Sequence, residues 1–367
     1  MLQVTGKYGT ATIMIDAIDK TTLEQVQTYM DNPVAEGCTV VIQPDCHAGA
    51  GCVIGFTATL GDLIVPNVVG VDIGCGVRGW CLGQWTRVPD ALLASLDQFI
   101  RNEIPSGFAV RDKIAPSLYQ SDPYTNKLGD ACTRVGSDFA RAVRSIGTLG
   151  GGNHFIELSI DEQACLWLLV HTGSRKFGLD VAKYHQGQAG SGELAALETH
   201  SSAGQAYLRD MGIAQGFAAR NREAIGHTII NQFFGCLVDR AVESVHNYIA
   251  DGYVRKGAIS AHRDEPVVIP WNMRDGAIIG VGLGNPAWNF SAPHGAGRTL
   301  ARKQAKRELT MDTFAADMAG IWTTSVSSDT LDESPRAYKD YHEIDEAIAP
   351  TVQVVHRLKV LYNFKAN

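Results

Sequence analysis

Residues 153–175 have the sequence NHFIELSIDEQACLWLLVHTGSR, which contains two segments typical of buried strands. Residues 155–160 and 165–170 are short runs dominated by aliphatic and aromatic side chains, and both predict strands. Histidines lie at the edges of these runs, with His154 before the first and His171 after the second. The stretch therefore predicts a sheet that carries imidazole side chains at its strand ends.

The flanking sequence extends this fold. Residues 267–282 predict a strand, a turn and a strand, while residues 203–250 have a helical period that Gly216 and Gly226 are expected to interrupt. A further helix is expected to begin near Gly297, to run through Arg307 and to end close to Thr310. This irregular alternation predicts an α+β architecture around a mixed sheet. Without an internal repeat or low-complexity linker, we expect one domain over residues 1–367.

Charge and cysteine content limit the class of protein. The net charge is −7 and the sequence pI is about 5.9, which excludes a uniformly basic nucleic-acid coat. Eight cysteines are few for a disulfide scaffold of 367 residues and suit a reducing compartment. No signal peptide and no apolar run of roughly 20 residues is present. We therefore expect a soluble cytoplasmic protein without a membrane partner.

The sequence VDIGCG at residues 71–76 is the densest chemical signal, because it holds Asp72 and Cys75 on a glycine-rich bend. His154, His171 and His246 strengthen it, with His246 expected near the end of a helix. Imidazole, thiolate and carboxylate together suit a borderline divalent ion, and one thiolate can bridge two such ions. The alternative is that the cysteine and histidines are ordinary buried core residues.

The second chemical signal is SAPHGAGR at residues 291–298, which precedes a basic run containing Arg302, Lys303, Lys306 and Arg307. Glycines before a helix N-terminus offer N–H groups to an anion, so His294 would face a bound phosphate. A neutral imidazole can attack phosphorus and form a phosphoramidate. The alternative is that His294 packs the turn and the basic run is a solvated helix face.

Two other cations are candidates for phosphate contacts. Arg175 follows His171 closely, which suits a phosphate held between a metal ion and a guanidinium. Lys365 lies near the C-terminus, where a frayed tail is the ordinary expectation. Position alone therefore supports Arg175 better than Lys365.

Six segments in this chain resemble, in the same order, the motifs of the tRNA-splicing ligase RtcB family. The resemblance extends from about residue 40 to the end, and six ordered motifs are far more specific than any one of them. The segments are QPDCH at 43–47, VDIGCG at 71–76, GGNHF at 151–155, HTGSR at 171–175, HN at 246–247 and HGAGR at 294–298.

The resemblance implies an RtcB-type fold, with mixed β-sheets flanked by helices around a central metal and nucleotide cleft. It implies an RNA ligase that depends on GTP and Mn²⁺ and joins a 2′,3′-cyclic phosphate or 3′-phosphate RNA end to a 5′-hydroxyl end. The implied intermediates are a histidine guanylate and an RNA-(3′)pp(5′)G end. The physiological RNA, the oligomeric state and the need for an activating protein partner stay open.

The motif matches also imply roles for single residues. Cys75 would bridge two Mn²⁺ ions, with Asp72 and His154 completing one site and His171 and His246 the other, and His294 would take GMP from GTP. The implied contacts to the guanylate are Asn153, His154, Phe155, Ile156, Glu157, His246, Asn247, Asn272, Met273, His294, Gly295, Ala296, Gly297, Tyr338 and Lys365. The implied contacts to RNA or phosphate are Asp45, Arg175 and Arg298.

The chain departs from the family pattern at a few positions. It has PWNM at 270–273 where Pro-Gly-Ser-Met is usual, Ala277 where a serine is common, and Lys365-Ala366 where Lys-Gly is usual. Nucleotide preference and RNA-end preference are therefore open. Two alternative functions also remain: a metal-dependent phosphodiesterase or phosphatase acting on RNA ends, and a non-catalytic protein that binds RNA or nucleotide.

Overall fold

The computed structural model describes residues 1–114, 123–238 and 240–366 of the chain. The strands are β1 Leu2–Gly6, β2 Gly9–Ile13, β3 Val40–His47, β4 Ile54–Thr59, β5 Leu63–Ile64, β6 Gly76–Gln84, β7 Phe155–Ile160, β8 Cys165–Thr172, β9 Leu197–Glu198, β10 Ala241–Val245, β11 Asn247–Ala250, β12 Tyr253–Lys256, β13 Ala258–Ser260, β14 Pro266–Pro270, β15 Ala277–Gly282, β16 Ser291–Pro293 and β17 Val352–Lys365. The α-helices are α1 Lys20–Met30, α2 Pro66–Val69, α3 Asp90–Glu103, α4 Pro123–Val135, α5 Phe139–Ser145, α6 Arg175–Ala189, α7 Ser202–Ile229, α8 Arg302–Glu308, α9 Met311–Asp317 and α10 Tyr341–Ala347.

Two large sheets organise the molecule. The N-terminal sheet has the strand order β1-β2-β3-β4-β12-β11 and is mixed, because β2 and β3 are parallel. The central sheet has the order β10-β6-β8-β7-β17-β15-β14, and its neighbouring strands are antiparallel. The predicted α+β class is confirmed. The strands predicted at 155–160, 165–170 and within 267–282 are also confirmed as β7, β8, β14 and β15.

Helix α7 packs on the central sheet through a buried apolar cluster that includes Trp80, Leu168 and Ile225. The predicted interruptions at Gly216 and Gly226 were wrong, because α7 is continuous from Ser202 to Ile229. A Cβ atom at Gly226 would lie 2.3 Å from the Trp80 indole. Gly226 therefore lets helix and sheet approach closely and does not end the helix.

The predicted helix was also wrong beyond residue 240, where the chain forms strands β10 and β11. Val242 and Ser244 are buried and alternate with more exposed neighbours, which is the period of a strand and not of a helix. His246 therefore lies between two strands, and not near a helix end as predicted. Because β10 belongs to the central sheet and β11 to the N-terminal sheet, His246 marks the crossing between them.

The helix predicted to begin near Gly297 begins five residues later, at Arg302. Gly297 has a φ of +75°, and a Cβ atom there would lie 2.0 Å from the Asp45 carbonyl oxygen. A residue in this left-handed conformation does not start an α-helix. The glycines after His294 therefore belong to a tight loop packed on β3 and not to a helix N-terminus, and anion binding by this loop stays a prediction.

Cysteine pairing also differs from the expectation of reduced cysteines. Cys81 of β6 and Cys165 of β8 form a disulfide between neighbouring strands. The other cysteines are free. Within the described ranges, no helix combines the length and the apolar character that crossing a bilayer requires.

Candidate metal and nucleotide site

Two groups of potential metal ligands share the Cys75 thiol. Asp72, Cys75 and His154 form one group, and Cys75, His171 and His246 form the other, with the ligand atoms of each group within 4.8 Å of one another. Cys75 Sγ lies 3.5 Å from His154 Nε2 and 3.3 Å from His171 Nε2. The structure thus brings together the five side chains that sequence analysis grouped.

Backbone carbonyls orient two of the imidazoles. His154 Nδ1–H donates to the Leu149 carbonyl at 2.9 Å, and His171 Nδ1–H donates to the Asn153 carbonyl at 3.2 Å. Each Nε2 atom therefore faces the cluster, and His154 Nε2 lies 2.9 Å from Asp72 Oδ2. A carbonyl partner on the far nitrogen is the usual support of a metal-binding histidine.

Burial sets the protonation of the cluster. Burial keeps the pKa of His171 well below its usual range, and His246 shifts in the same direction for the same reason. Burial raises the pKa of Asp72, but the hydrogen bond and charge of His154 outweigh it and lower the value to about 2. Burial and then Asp72 raise the pKa of the Cys75 thiol well above its usual value. A cation that binds here would displace the thiol proton.

Two buried residues of α7 support the ligand-bearing segments. Asn221 accepts the backbone N–H groups of Gly147 and Thr148, and its side-chain amide donates to the Thr148 and Gly173 carbonyls. Arg222 donates to the Gly74 and Thr172 carbonyls, both at 2.8 Å. Helix α7 therefore fixes the backbone around Cys75, His154 and His171.

His294 follows the short strand β16 and adjoins the ligand cluster. Its ring centroid lies 4.9 Å from that of His246. Its Nδ1–H donates to Asp45 Oδ2 at 2.6 Å, and its backbone N–H donates to the same oxygen at 3.2 Å. His294 Nε2 is thereby left as the atom with a lone pair.

Asp45 does not have the position expected of a phosphate contact. Its side chain is fully buried and is absent from the cavity lining. A carboxylate would also repel a phosphate. Asp45 instead accepts two hydrogen bonds from His294 and orients its imidazole, and the contact of Asp45 with RNA stays a prediction.

A cavity of about 740 Å³ opens beside His294 and the ligand cluster. Predicted site residues in its wall are Asp72, Cys75, Asn153, Phe155, Glu157, His171, His246, Asn247, Asn272, Met273, His294, Gly295, Ala296, Gly297, Arg298, Tyr338 and Lys365. Wall residues that sequence analysis did not assign to the site include His47, Trp271, Arg302 and Asn363.

Strand β7 separates the predicted guanylate contacts by face. Phe155 and Glu157 line the cavity, while Ile156 is fully buried in the apolar cluster on the opposite face. The Ile156 side chain thus lies away from the cavity, and its contact with the guanylate stays a prediction. Glu157 accepts hydrogen bonds from Ser159 and Asn363 at 2.7 and 2.8 Å. Burial raises the pKa of Glu157 to about 7, although both hydrogen bonds oppose the shift.

Arg175 bonds to protein groups in this structure, and its contact with phosphate stays a prediction. Its guanidinium donates to Thr148 Oγ1 at 3.1 Å and to the Gly107 carbonyl at 2.6 Å, and it is absent from the cavity lining. Arg175 therefore supports the loop before His154.

The turn after Trp271 uses its own polar atoms. Asn272 Oδ1 accepts the backbone N–H groups of Arg274 and Asp275, and Asn272 Nδ2 donates to Asp275 Oδ2 at 2.7 Å. Met273 packs in a separate apolar cluster with Phe314. The departure from the family pattern therefore builds a self-contained turn in the cavity wall.

Glu333 is a buried residue that sequence analysis did not assign to the site. Its carboxylate contacts Arg298 Nη1 at 3.3 Å, Arg302 Nη1 at 2.5 Å, Lys365 Nζ at 2.6 Å and the Tyr338 hydroxyl at 2.8 Å. Burial raises the pKa of Glu333, but Lys365, Arg302 and Arg298 lower it to about 2. Lys365 is the last residue of β17 and is buried, so the expectation of a frayed tail was wrong.

Comparison with known proteins identifies related chains. A family model described as tRNA-splicing ligase RtcB matches residues 25–366. RNA-splicing ligase RtcB of Escherichia coli K12 is 29% identical over 360 residues, which cover 87% of this chain and 88% of that protein. RNA-splicing ligase RtcB of Mycobacterium tuberculosis is 29% identical over 395 residues, with coverages of 83% and 91%. tRNA-splicing ligase RtcB of Aeropyrum pernix is 27% identical over 398 residues, with coverages of 83% and 82%.

Proposed function

Because the chain belongs to the tRNA-splicing ligase RtcB family, we propose that it is an RNA ligase that uses GTP and Mn²⁺. It would join an RNA end bearing a 2′,3′-cyclic phosphate or 3′-phosphate to a 5′-hydroxyl end. The observation that carries the proposal is the contact of the His294 ring with His246, within a cluster whose two ligand groups share Cys75.

The donor set fits two borderline divalent cations. Asp72 and His154 would hold one ion, His171 and His246 the other, and the Cys75 thiolate would bridge them. When bound, the ions would supply Lewis-acid stabilisation of charge on the reacting phosphate oxygens. A reducing compartment such as the cytoplasm would keep the Cys75 thiol available for this role.

His294 Nε2 would attack the α-phosphorus of GTP, forming an N–P bond while the bond to pyrophosphate breaks. The imidazole gains positive charge as this bond forms. Asp45 accepts the Nδ1–H at 2.6 Å and would stabilise that charge. The pair therefore supports nucleophilic attack by a ring whose orientation is already fixed.

The cavity also supports recognition of guanine. A guanine edge offers N–H donors together with the O6 and N7 acceptors. Glu157 provides a carboxylate acceptor and Lys365 an ammonium donor in the same cavity. Asn153 and Phe155 line the same cavity, and this set of groups favours binding of a purine nucleotide beside His294.

The later steps would transfer the guanylate to an RNA 3′-phosphate, giving RNA-(3′)pp(5′)G. The 5′-hydroxyl would then attack the RNA phosphate and displace GMP. A cyclic phosphate must first be opened by water. Arg298, four residues after the nucleophile and in the cavity wall, would neutralise charge on the RNA phosphate.

Covalent labelling tests this proposal. The protein is incubated with α-labelled GTP and Mn²⁺, denatured, and assayed for label that is labile to acid and stable to alkali. We expect label on the wild type and on His262→Ala, a histidine outside the cavity wall, and none on His294→Ala. Parallel reactions with RNA bearing a cyclic phosphate and a 5′-hydroxyl should give a joined product.

Two results would contradict the proposal. Absence of label from the wild type would exclude the guanylate pathway. If His294→Ala still released phosphate or opened cyclic phosphates while no variant was labelled or joined RNA, the protein would be a hydrolase that uses water at the same cluster.

A further inference from the structure

The Glu333 carboxylate is buried next to the cavity wall, outside the metal-ligand cluster. It is 1% exposed and contacts Arg298, Arg302, Lys365 and Tyr338, each of which lines the cavity. These four side chains come from the loop after His294, from α8, from the C-terminal strand and from the segment after Glu333 itself. One carboxylate therefore connects several separate parts of the wall.

Lys365 depends on this carboxylate more than Arg302 does. Its ammonium is 4% exposed and contacts Glu333 Oε2 at 2.6 Å and the Asn153 carbonyl at 3.2 Å. Arg302 has a second carboxylate partner in Asp332 at 2.7 Å. Among the described residues, Glu333 is the carboxylate that lies within ion-pair distance of Lys365. A buried ammonium without such a partner is strongly disfavoured.

The same contacts leave Lys365 ready for a ligand. An ammonium has three donors, and Glu333 and the Asn153 carbonyl account for two of them. The third donor is available to an acceptor in the cavity. The Asn153 carbonyl also accepts the Nδ1–H of His171 at 3.2 Å, so Lys365 is tied directly to the backbone that orients a candidate metal ligand.

We propose that Glu333 is a positioning residue for nucleotide binding: it holds the Lys365 ammonium against the Asn153 carbonyl so that its free donor points to the nucleotide. This inference rests on the proposed function. Glu333 itself does not need to touch the nucleotide, because its effect passes through Lys365.

A double-mutant cycle tests this route. GTP binding is measured by calorimetry in the presence of Mn²⁺, in a His294→Ala background that prevents guanylate transfer. We expect Glu333→Gln and Lys365→Gln each to weaken GTP binding roughly 10-fold or more. Because both act at one contact, the double variant should bind GTP no more weakly than Lys365→Gln alone.

The matched control is Asp332→Asn, which removes a neighbouring carboxylate that pairs with Arg302 and Lys306 but not with Lys365. We expect it to change GTP binding less than about threefold. With His294 intact, Glu333→Gln should raise the KM for GTP more than it lowers kcat. Should Glu333→Gln fold poorly, Glu333→Asp keeps the charge but shortens the reach, and the same non-additive result with Lys365→Gln is expected.

The outcomes separate this inference from the proposed function. If GTP does not bind the His294→Ala parent and does not label the wild type, the proposed function fails. If GTP binds and labels normally, but Glu333→Gln binds as the parent does or adds its full effect to that of Lys365→Gln, the positioning role of Glu333 is wrong.

Discussion

His294 makes two contacts with one carboxylate oxygen, since both its Nδ1–H and its backbone N–H donate to Asp45 Oδ2. The side chain and the backbone are therefore fixed by the same atom. In a serine protease triad the buried aspartate likewise selects the tautomer and stabilises the charged imidazole. The chemistry proposed for His294 needs both effects.

Replacing Asp45 tests this pairing. Asp45→Asn keeps the size but offers an amide that can stabilise the wrong tautomer, so we expect the rate of guanylate transfer at saturating GTP to fall by about 100-fold or more. The measurement is the initial rate of covalent labelling. Asp62→Asn, at an exposed aspartate, is the control and should label at the wild-type rate. A rate for Asp45→Asn within about threefold of the wild type would exclude this role.

Helix α7 contacts both the apolar core on the central sheet and the backbone of the candidate site. Its apolar face packs on the central sheet, and its buried Asn221 and Arg222 bond the backbone around the metal-ligand candidates. The close approach at Gly226 sets the distance between helix and sheet. A change that pushes α7 outward should therefore affect both stability and metal binding.

Two glycines of α7 allow a matched comparison. A Cβ atom at Gly226 would overlap the Trp80 ring, while a Cβ atom at Gly212 would meet nothing within 4 Å. We expect Gly212→Ala to raise the free energy of unfolding by about 0.5–1 kcal/mol through helix propensity. We expect Gly226→Ala to lower it by about 1–3 kcal/mol through overpacking. Denaturant unfolding measures both, and equal effects would contradict the packing described here.

Sequence patterns predicted the elements whose local signal was strong. Strands β7 and β8 are short apolar runs with the ligand candidates at their ends, and both formed as predicted. The helix predicted through residue 250 was wrong because apolar content continues past α7, although Val242, Ser244 and His246 already alternate with a strand period. The prediction of a helix start at Gly297 was wrong because the loop after His294 packs on β3. No local sequence pattern specifies this tertiary contact.

Sequence patterns identified the metal-ligand candidates of the site but not all of its buried residues. Residue types and motif order in the sequence are enough to group Asp72, Cys75, His154, His171 and His246. Glu333 was not found, because its importance comes from Arg298, Arg302 and Lys365, which approach it only in the folded chain. Asp45 was found in a motif, but its partner could not be inferred from its neighbours in sequence.

At the scale of the whole molecule, the site lies where the two large sheets meet. β3 carries Asp45, β6 follows Cys75, β8 carries His171, and His246 links β10 to β11. The C-terminal strand β17 pairs with both β7 and β15 and delivers Lys365 to the same cavity. Site formation therefore depends on complete folding of both sheets.

Glu157 makes global stability depend on pH. Its pKa rises from 4.5 to about 7 on folding, so between these values the folded state holds a proton that the unfolded state has lost. The contribution of Glu157 to the free energy of unfolding is fully present below about pH 4.5 and is lost as the pH rises through 7. The free energy of unfolding decreases by about 3 kcal/mol over this range. Glu157→Gln should remove this slope, so its stability relative to the wild type should increase from pH 5 to pH 8. Urea unfolding across that range measures the difference, and parallel curves would contradict the assignment.

In the proposed site, Cys75 belongs to two metal sites beside His294. Anomalous scattering from crystals soaked with Mn²⁺ and a GTP analogue tests this arrangement. We predict two manganese peaks roughly 3.5–4 Å apart, one near Asp72 and His154 and the other near His171 and His246, both next to Cys75 Sγ, with the analogue's α-phosphate facing His294 Nε2. A matched crystal of Cys75→Ala should lose the paired peaks. Manganese bound elsewhere, or a nucleotide whose α-phosphate lies away from His294, would contradict this arrangement.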